Sequence, residues 1–193
     1  MCIRDSPYTA VGFDQTVNFT KQVGLQLNVR PVLPMVMRGV PATIEKGRYI
    51  LFDAAREARA IGAPFGPCAD PIGRPTRRAY SLYAWAEEKG KSLEFFSAFL
   101  RCAWVDAINT NTDKGMRTVL ERAGLEWSEA KLQIDKPGWE AAIEKNRLAM
   151  YELGLWGVPS YRLSDENGIT KLAIWGQDRL WLVAKEVQRH LNS

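Results

Sequence analysis

Residues 154–161, with the sequence Gly-Leu-Trp-Gly-Val-Pro-Ser-Tyr, constrain the fold more than any other part of this chain. A helical pattern runs into this stretch and a short strand pattern follows it. Pro159 therefore stands either at the first residue of a strand, where proline is tolerated, or in a tight turn that can hold a cis peptide bond. The two preceding glycines allow a sharp turn and a close approach of the backbone. An ordinary turn between a helix and a strand is the alternative interpretation.

The composition is that of a globular protein of modest charge. The chain has 193 residues, of which 46% are hydrophobic and 25% are charged, and its net charge is +4. This length suits one domain, or one domain with a large insertion. The charge fits small anionic ligands, and the densest basic cluster, Arg74 with Arg77 and Arg78, is too small to predict a nucleic-acid partner. No apolar run approaches the roughly 18 residues of a membrane span. The N-terminus shows no signal-peptide pattern, so we expect a cytoplasmic protein.

The cysteines argue against a disulfide framework and against a metal site. They are Cys2, Cys68 and Cys102, and no Cys-x-x-Cys pair occurs. An odd, widely spaced set does not form a zinc site or a set of bridges, and a disulfide oxidoreductase needs paired thiols. With a single histidine, His190, near the end of the chain, we expect no metal.

Hydrophobic patterning predicts a helix, a strand, a long helical block, a hairpin and a final helix. The first helix starts at Ser6 and Pro7, a capping residue followed by proline at the first helical position, and ends at Gly24. Residues 25–29 alternate between apolar and polar and predict a strand. Strands at 160–163 and 170–175 flank an Asn-Gly turn, which favours a hairpin, and a helix follows at 177–191. The helices predicted in between cover residues 49–62, 76–88, 92–106, 113–123 and 137–153.

Four stretches resemble the motifs of one branch of the thioredoxin superfamily, which holds 2-hydroxychromene-2-carboxylate isomerase and kappa-class glutathione transferase. The Gly-Val-Pro-Ser-Tyr run is similar to its cis-proline loop, and Ser-Pro-Tyr-Thr at 6–9 is similar to its Ser-Pro-Tyr-Ser. Lys-Gly-Arg-Tyr at 46–49, followed by Asp53, resembles Lys-Gly-x-Tyr-x-x-x-Asp. Residues 175–180 match Trp-Gly-Gln-Asp-Arg-Leu almost letter for letter. The kappa pattern has asparagine before its aspartate, where this chain has Phe52.

The resemblance implies an α/β, thioredoxin-like fold with a large all-helical insertion. Residues 1–45 and 154–193 would form the thioredoxin-like domain, and residues 46–153 the helical insertion domain. The family has an apolar central strand directly before its Ser-Pro-Tyr motif. Residues 1–5 show no such pattern, so we expect the first β-strand to be truncated and these residues not to be native.

The same resemblance implies glutathione as cofactor and gives roles to particular residues. Ser6, at a helix N-terminus, would be the catalytic residue, donating a hydrogen bond to the thiolate and lowering the pKa of the thiol. The residues that would bind glutathione are Trp156, Val158, Pro159, Gln177 and Asp178, with Asp178 paired to the γ-glutamyl ammonium. The residues that would face the substrate are Lys46, Tyr8, Tyr49 and Asp53.

The implied activity is isomerisation of a conjugated carbonyl compound similar to 2-hydroxychromene-2-carboxylate, through reversible addition of the glutathione thiolate. A kappa-like transferase that releases the conjugate, and a glutathione-binding module without catalysis, are the alternatives. We expect a small-molecule substrate, a homodimer, and no nucleic-acid or membrane partner. Simpler structural roles also stay open: Ser6 as a helix cap, Lys46 as a solvated side chain, Asp53 paired with Arg56 or Arg59, and Gln177 with Asp178 as a capped helix start.

Overall fold

A computed structural model describes residues 6–191, in which helices predominate over a small sheet. Two 3₁₀ turns, Met35–Arg38 and Gln177–Arg179, join longer elements. In chain order these are α1 (Pro7–Gln22), α2 (Ile44–Ile61), α3 (Arg74–Ser81), α4 (Tyr83–Glu88), α5 (Ser92–Trp104), α6 (Asp113–Ala123), α7 (Trp127–Ala130), α8 (Trp139–Glu152), β1 (Ser160–Ser164), β2 (Thr170–Trp175) and α9 (Leu180–Leu191).

Helix α1 packs against elements from both the middle and the C-terminal part of the chain. Pro7 occupies its first turn, as the sequence predicts. One side of the helix, which includes Val11, Gly12 and Thr16, is buried, and α1 contacts α2, α5 and the 3₁₀ turn after β2. The Thr16 and Tyr161 hydroxyls share a hydrogen bond of 3.2 Å, which ties α1 to β1.

The helical block between α3 and α8 holds the largest hydrophobic core. Its aromatic side chains meet mostly edge to face; the rings of Phe95 and Phe96, for example, lie 5.7 Å apart at 70°. Phe13 of α1 and Val29 pack against this core from outside the block. Its fully buried members include Leu82, Phe95, Phe99, Met116, Val119 and Leu120.

The sheet is an antiparallel hairpin of β1 and β2, as the Asn-Gly turn predicts. Ser160 pairs with Trp175, and the register shifts between Leu163 and Ser164. The Asp165 carboxylate closes the turn by accepting the backbone N–H groups of Asn167 and Ile169 at 3.0 and 2.9 Å. This hairpin therefore places the end of β2 beside the residue that opens β1.

The strand predicted at residues 25–29 is not present, and that prediction is wrong. A strand needs a ladder of backbone partners. Carbonyls in this part of the chain instead accept side-chain donors from the helical block: the Tyr83 hydroxyl donates to the Val29 carbonyl (2.8 Å) and the Asn146 amide to the Pro31 carbonyl (3.0 Å). Among the described residues, the segment is thus held by side chains of the helical block and pairs with no strand.

Among the helices, α2 and the pair α3 and α4 depart most from the sequence-based expectation. Helix α2 starts at Ile44, five residues early, because the Thr43 hydroxyl accepts the Lys46 N–H and caps it. The helix predicted over residues 76–88 is divided at Leu82 into α3 and α4.

The expected truncated first strand, residues 1–5, lies outside the described residues. The division into a thioredoxin-like domain and an insertion domain stays a prediction. Between residues 6 and 191, no helix is both long enough and apolar enough to cross a membrane.

Candidate functional site

A cavity of about 200 Å³ lies where α1, α2, the loop before β1 and the turn after β2 meet. The peptide bond between Val158 and Pro159, in this wall, is cis. Residues far apart in the sequence therefore share one site, including several that the sequence motifs singled out. The lining residues are Tyr8, Asp53, Glu57, Val158, Pro159, Trp175, Gly176, Gln177 and Asp178.

A close approach of α1 to the turn after β2 shapes one side of the cavity. A Cβ atom at Gly12 would lie only 2.8 Å from the Cβ of Gln177, so a larger residue at position 12 would push the turn away. Gln177 is buried, and its amide donates to the Glu57 carboxylate at 3.1 Å. The lack of a side chain at position 12 thus lets α1 approach Gln177, one of the cavity residues, closely.

Tyr8 and Asp53 form a hydrogen-bonded pair on the second side. The Tyr8 hydroxyl donates to Asp53 Oδ2 at 2.8 Å, and Arg56 Nη1 lies 3.6 Å from the other oxygen. Burial raises the pKa of Tyr8 well above its ordinary value, and the hydrogen bond to the Asp53 carboxylate raises it further. Tyr8 therefore remains a protonated donor throughout the physiological range. Of the two arginine partners considered for Asp53, Arg56 is the one in reach.

The cavity wall is acidic. Its charged lining residues are the carboxylates Asp53, Glu57 and Asp178, and Arg179 pairs with Asp178 from outside the lining. Among residues 6–191, no three side chains are placed to hold a metal ion. Carboxylates bind a charged N–H donor through strong hydrogen bonds, so the cavity suits a primary ammonium group better than an anion.

Two tryptophans form an open aromatic surface at the mouth of the cavity. The Trp156 and Trp175 rings lie 4.6 Å apart, and the side chains are 49% and 44% exposed. The Trp175 indole rests against Gly157, where a Cβ atom would lie 2.5 Å from the indole nitrogen. Trp156 itself does not line the cavity, but it extends the wall that Trp175 forms.

Ser6 is buried at the N-terminus of α1 and does not line the cavity. Its carbonyl accepts the Thr9 and Ala10 N–H groups, whereas its hydroxyl makes no capping hydrogen bond within the described residues. The side chain therefore does not act as a simple helix cap. Its catalytic role stays a prediction.

Lys46 and Tyr49 stand on the exposed side of α2, away from the cavity lining. Tyr49 is 62% exposed, but it is near enough to Tyr8 to contribute to the raised pKa of that residue. The exposed position of Lys46 fits a solvated side chain. Substrate contacts of both residues stay predictions.

Sequence reasoning missed Glu57 and Arg38. Glu57 follows Asp53 by four residues on α2, so helical spacing alone could have placed it on the same face. Arg38 Nη2 donates to the Trp156 carbonyl at 3.3 Å across 118 residues. No local pattern marks that contact.

Solved structures share this fold. A 2-hydroxychromene-2-carboxylate isomerase superimposes with a TM-score of 0.77 at 18% identity, over 96% of this chain and 91% of that one. A candidate protein disulfide isomerase from Nitrosomonas europaea gives 0.68 at 15% identity, over 95% and 93%. No curated protein matches the sequence at a significant level.

The order of elements, the cis-proline before β1 and these structural likenesses confirm the predicted thioredoxin-like fold with its helical insertion. The sequence profile of the DSBA-like thioredoxin domain matches residues 6–188, nearly the whole chain. The chain belongs to the family of DSBA-like thioredoxin domains.

Proposed function

We propose that this protein is a glutathione-dependent isomerase acting on a conjugated carbonyl compound similar to 2-hydroxychromene-2-carboxylate. The observation that carries the proposal is the cavity that joins the Val158–Pro159 backbone to the carboxylates of Asp53, Glu57 and Asp178. The isomerase with the same fold supports the type of reaction.

The residues present fit one end of glutathione. The γ-glutamyl end carries the only ammonium of the tripeptide, with a carboxylate on the same carbon, and the three carboxylates of the acidic wall would face the ammonium. At about 200 Å³ the cavity is smaller than the roughly 300–1,000 Å³ typical of ligand pockets. It therefore holds the amino-acid end, with the remainder of the tripeptide outside the cavity.

When bound, glutathione would supply a thiolate for reversible addition to the conjugated substrate, which would free a bond to rotate before the thiolate leaves again. Ser6 donates a hydrogen bond to the sulfur, and the N-terminus of α1 favours the negative charge. Both effects lower the pKa of the thiol from its free value of about 8.5. Asp178 and Gln177 orient the γ-glutamyl group, and the Val158 backbone holds the peptide.

The cysteines disfavour disulfide exchange as the activity. The sequence has no Cys-x-x-Cys pair. Cys102 is fully buried, and burial raises the pKa of its thiol, so it is a poor source of thiolate. We therefore place the reacting thiol on glutathione and not on the protein.

The test follows 2-hydroxychromene-2-carboxylate by absorbance with and without glutathione, and measures glutathione binding by calorimetry. We expect glutathione to bind and turnover to require it. Cys-Gly, which lacks the γ-glutamyl group, should bind much more weakly. Accumulation of a glutathione conjugate would indicate a transferase. Binding without either product would indicate a binding module, and no binding would refute the proposal. The homodimer and the cytoplasmic location stay predictions.

A further inference from the structure

A basic group lies beside residues 154–158, here called the Trp156 loop, whose last residue, Val158, lines the acidic cavity. Arg38 reaches this loop from the 3₁₀ turn Met35–Arg38, and Tyr151 and Arg147 of α8 complete the group. The Arg38 and Arg147 guanidinium carbons lie 6.0 and 4.8 Å from the centroid of the Tyr151 ring. The loop thus adjoins both a basic group and the acidic cavity.

Arg38 is fixed in place by two of its donors. Nη1 donates to the Tyr151 hydroxyl at 2.8 Å and Nη2 to the Trp156 carbonyl at 3.3 Å. A guanidinium has five N–H donors in a planar fork, so these two neutral acceptors leave donors over on both terminal nitrogens. Nε has no hydrogen-bond partner within the described residues. The Arg38 side chain is therefore held in one orientation while some of its N–H donors have no acceptor among residues 6–191.

The charges around Arg38 leave its own charge uncompensated. Arg147 is paired with Glu144 through two of its nitrogens. The hydrogen bond from Arg147 lowers the pKa of Glu144 most, and the positive charge of Arg38 contributes a further small lowering. Glu144 is therefore near enough to Arg38 to interact with its charge. No carboxylate in the described part of the chain lies within ion-pair distance of Arg38. The group as a whole, two arginines and one glutamate, keeps a net positive charge.

The indoles of Trp156 and Trp175, tilted by 50° to each other, add an open aromatic surface. The Trp156 and Trp175 indoles are in contact and about half exposed, and Trp156 is the residue whose carbonyl holds Arg38. Aromatic faces bind planar groups through offset or edge-to-face contacts. A cation fixed beside such a surface is suited to a carboxylate carried on a flat or apolar group.

We propose that Arg38, with the indoles of Trp156 and Trp175, forms a subsite that binds the carboxylate of a ligand. Two sources share this chemistry: the carboxylate of the conjugated substrate, and the glycyl carboxylate of glutathione. The choice between these sources rests on the proposed function, whereas the subsite itself rests on the contacts of Arg38.

The first experiment needs no variant. Calorimetry compares trans-cinnamate with trans-cinnamamide, which keeps the planar group but lacks the charge, and compares glutathione with its glycyl ethyl ester. We expect one charged ligand, or both, to bind roughly 10- to 100-fold more tightly than its neutral counterpart, the range for a charge-assisted hydrogen bond. A preference within the cinnamate pair identifies the substrate, and one within the glutathione pair identifies the glycyl end. Equal binding within both pairs overturns the subsite.

The second experiment assigns the preference to Arg38. Arg38→Gln should abolish it, while the neutral counterpart still binds. Arg189→Gln removes an exposed charge from α9 and should leave the preference unchanged. Since Arg38 also ties the loop to Tyr151, Arg38→Lys is measured in parallel. It keeps the charge but loses the planar fork, so a reduced preference should remain. A full preference in Arg38→Gln would overturn the assignment. If cinnamate binds through Arg38 but glutathione does not bind at all, the subsite stands and the proposed function fails.

Discussion

Aromatic side chains serve different purposes in the helical block and at the mouth of the cavity. In the block, Phe95, Phe99 and Trp104 are at most 1% exposed and belong to the packed core. At the cavity, Trp156 and Trp175 keep nearly half of their surface open. A buried aromatic contributes its whole apolar area to stability, whereas an open one retains part of that area for a ligand. The difference suggests that stability resides mainly in the block and binding mainly at the hairpin end.

The first prediction, with the largest expected effect, tests where stability resides. Phe95→Ala should lower the free energy of unfolding by about 3–5 kcal/mol, because it leaves a cavity in a closed core. Trp175→Ala should cost clearly less, since the side chain is already 44% exposed. Urea unfolding of both variants and the parent measures the difference. Equal losses in the two variants would mean that the block and the hairpin end do not differ in this way.

Ser6→Ala tests whether catalysis can be removed without loss of binding. Loss of one donor to the thiolate should reduce turnover by about 10²–10³-fold, as for other stabilising donors. Glutathione affinity should change much less. The measurements are single-turnover isomerisation and calorimetry. Unchanged turnover would remove Ser6 from the mechanism.

Asp178→Asn tests whether the acidic wall binds the ammonium of glutathione. The variant loses a charge-assisted hydrogen bond, so affinity should fall by roughly 10- to 100-fold. Its stability should stay close to that of the parent, because Asp178 is exposed and its partner Arg179 is half-exposed. Glu121→Gln, at an exposed position on α6, is the matched control for loss of a negative charge. An affinity equal to that of the parent would exclude Asp178 from the site.

The smallest expected effect concerns Tyr83, which joins the block to the segment at residues 25–29. Burial, and then the hydrogen bond with Glu87, raise the pKa of Tyr83 to about 12 from its ordinary value of about 10. Between pH 10 and 12 the unfolded state releases this proton first. The contribution of Tyr83 to stability is therefore complete below pH 10 and decreases as the pH rises toward 12.

Urea midpoints at pH 9, 10 and 11 measure that slope in the parent and in Tyr83→Phe. The urea midpoint of the variant should fall less steeply with pH. Some pH dependence should remain, because the pKa values of Tyr8 and Tyr161 are also raised. The difference between the two proteins at pH 9 gives the effect of losing the contacts of the Tyr83 hydroxyl with the Val29 carbonyl and the Glu87 carboxylate. Parallel slopes would contradict the assignment to Tyr83.

Features with a local cause were predictable from the sequence. Proline after a capping position started α1, and Asn-Gly closed the hairpin between β1 and β2. The motif residues around Pro159 and Asp178 do meet in one cavity, as a shared site requires. By contrast, the alternating pattern at residues 25–29 did not form a strand. The alternating pattern is a property of this segment alone, whereas a strand also needs a second strand as its hydrogen-bonding partner.

The sequence by itself determined the proline start of α1, the hairpin of β1 and β2 and the absence of a Cys-x-x-Cys pair, since each depends on neighbouring residues. Only the tertiary structure placed Glu57 against Gln177, brought α1 to Gln177 at Gly12, and set Arg38 on the Trp156 carbonyl. These contacts join residues 118 to 165 positions apart, so they form only when distant parts of the chain pack together. The acidic cavity and the basic group beside the Trp156 loop are therefore properties of the packing, which no single stretch of the chain contains.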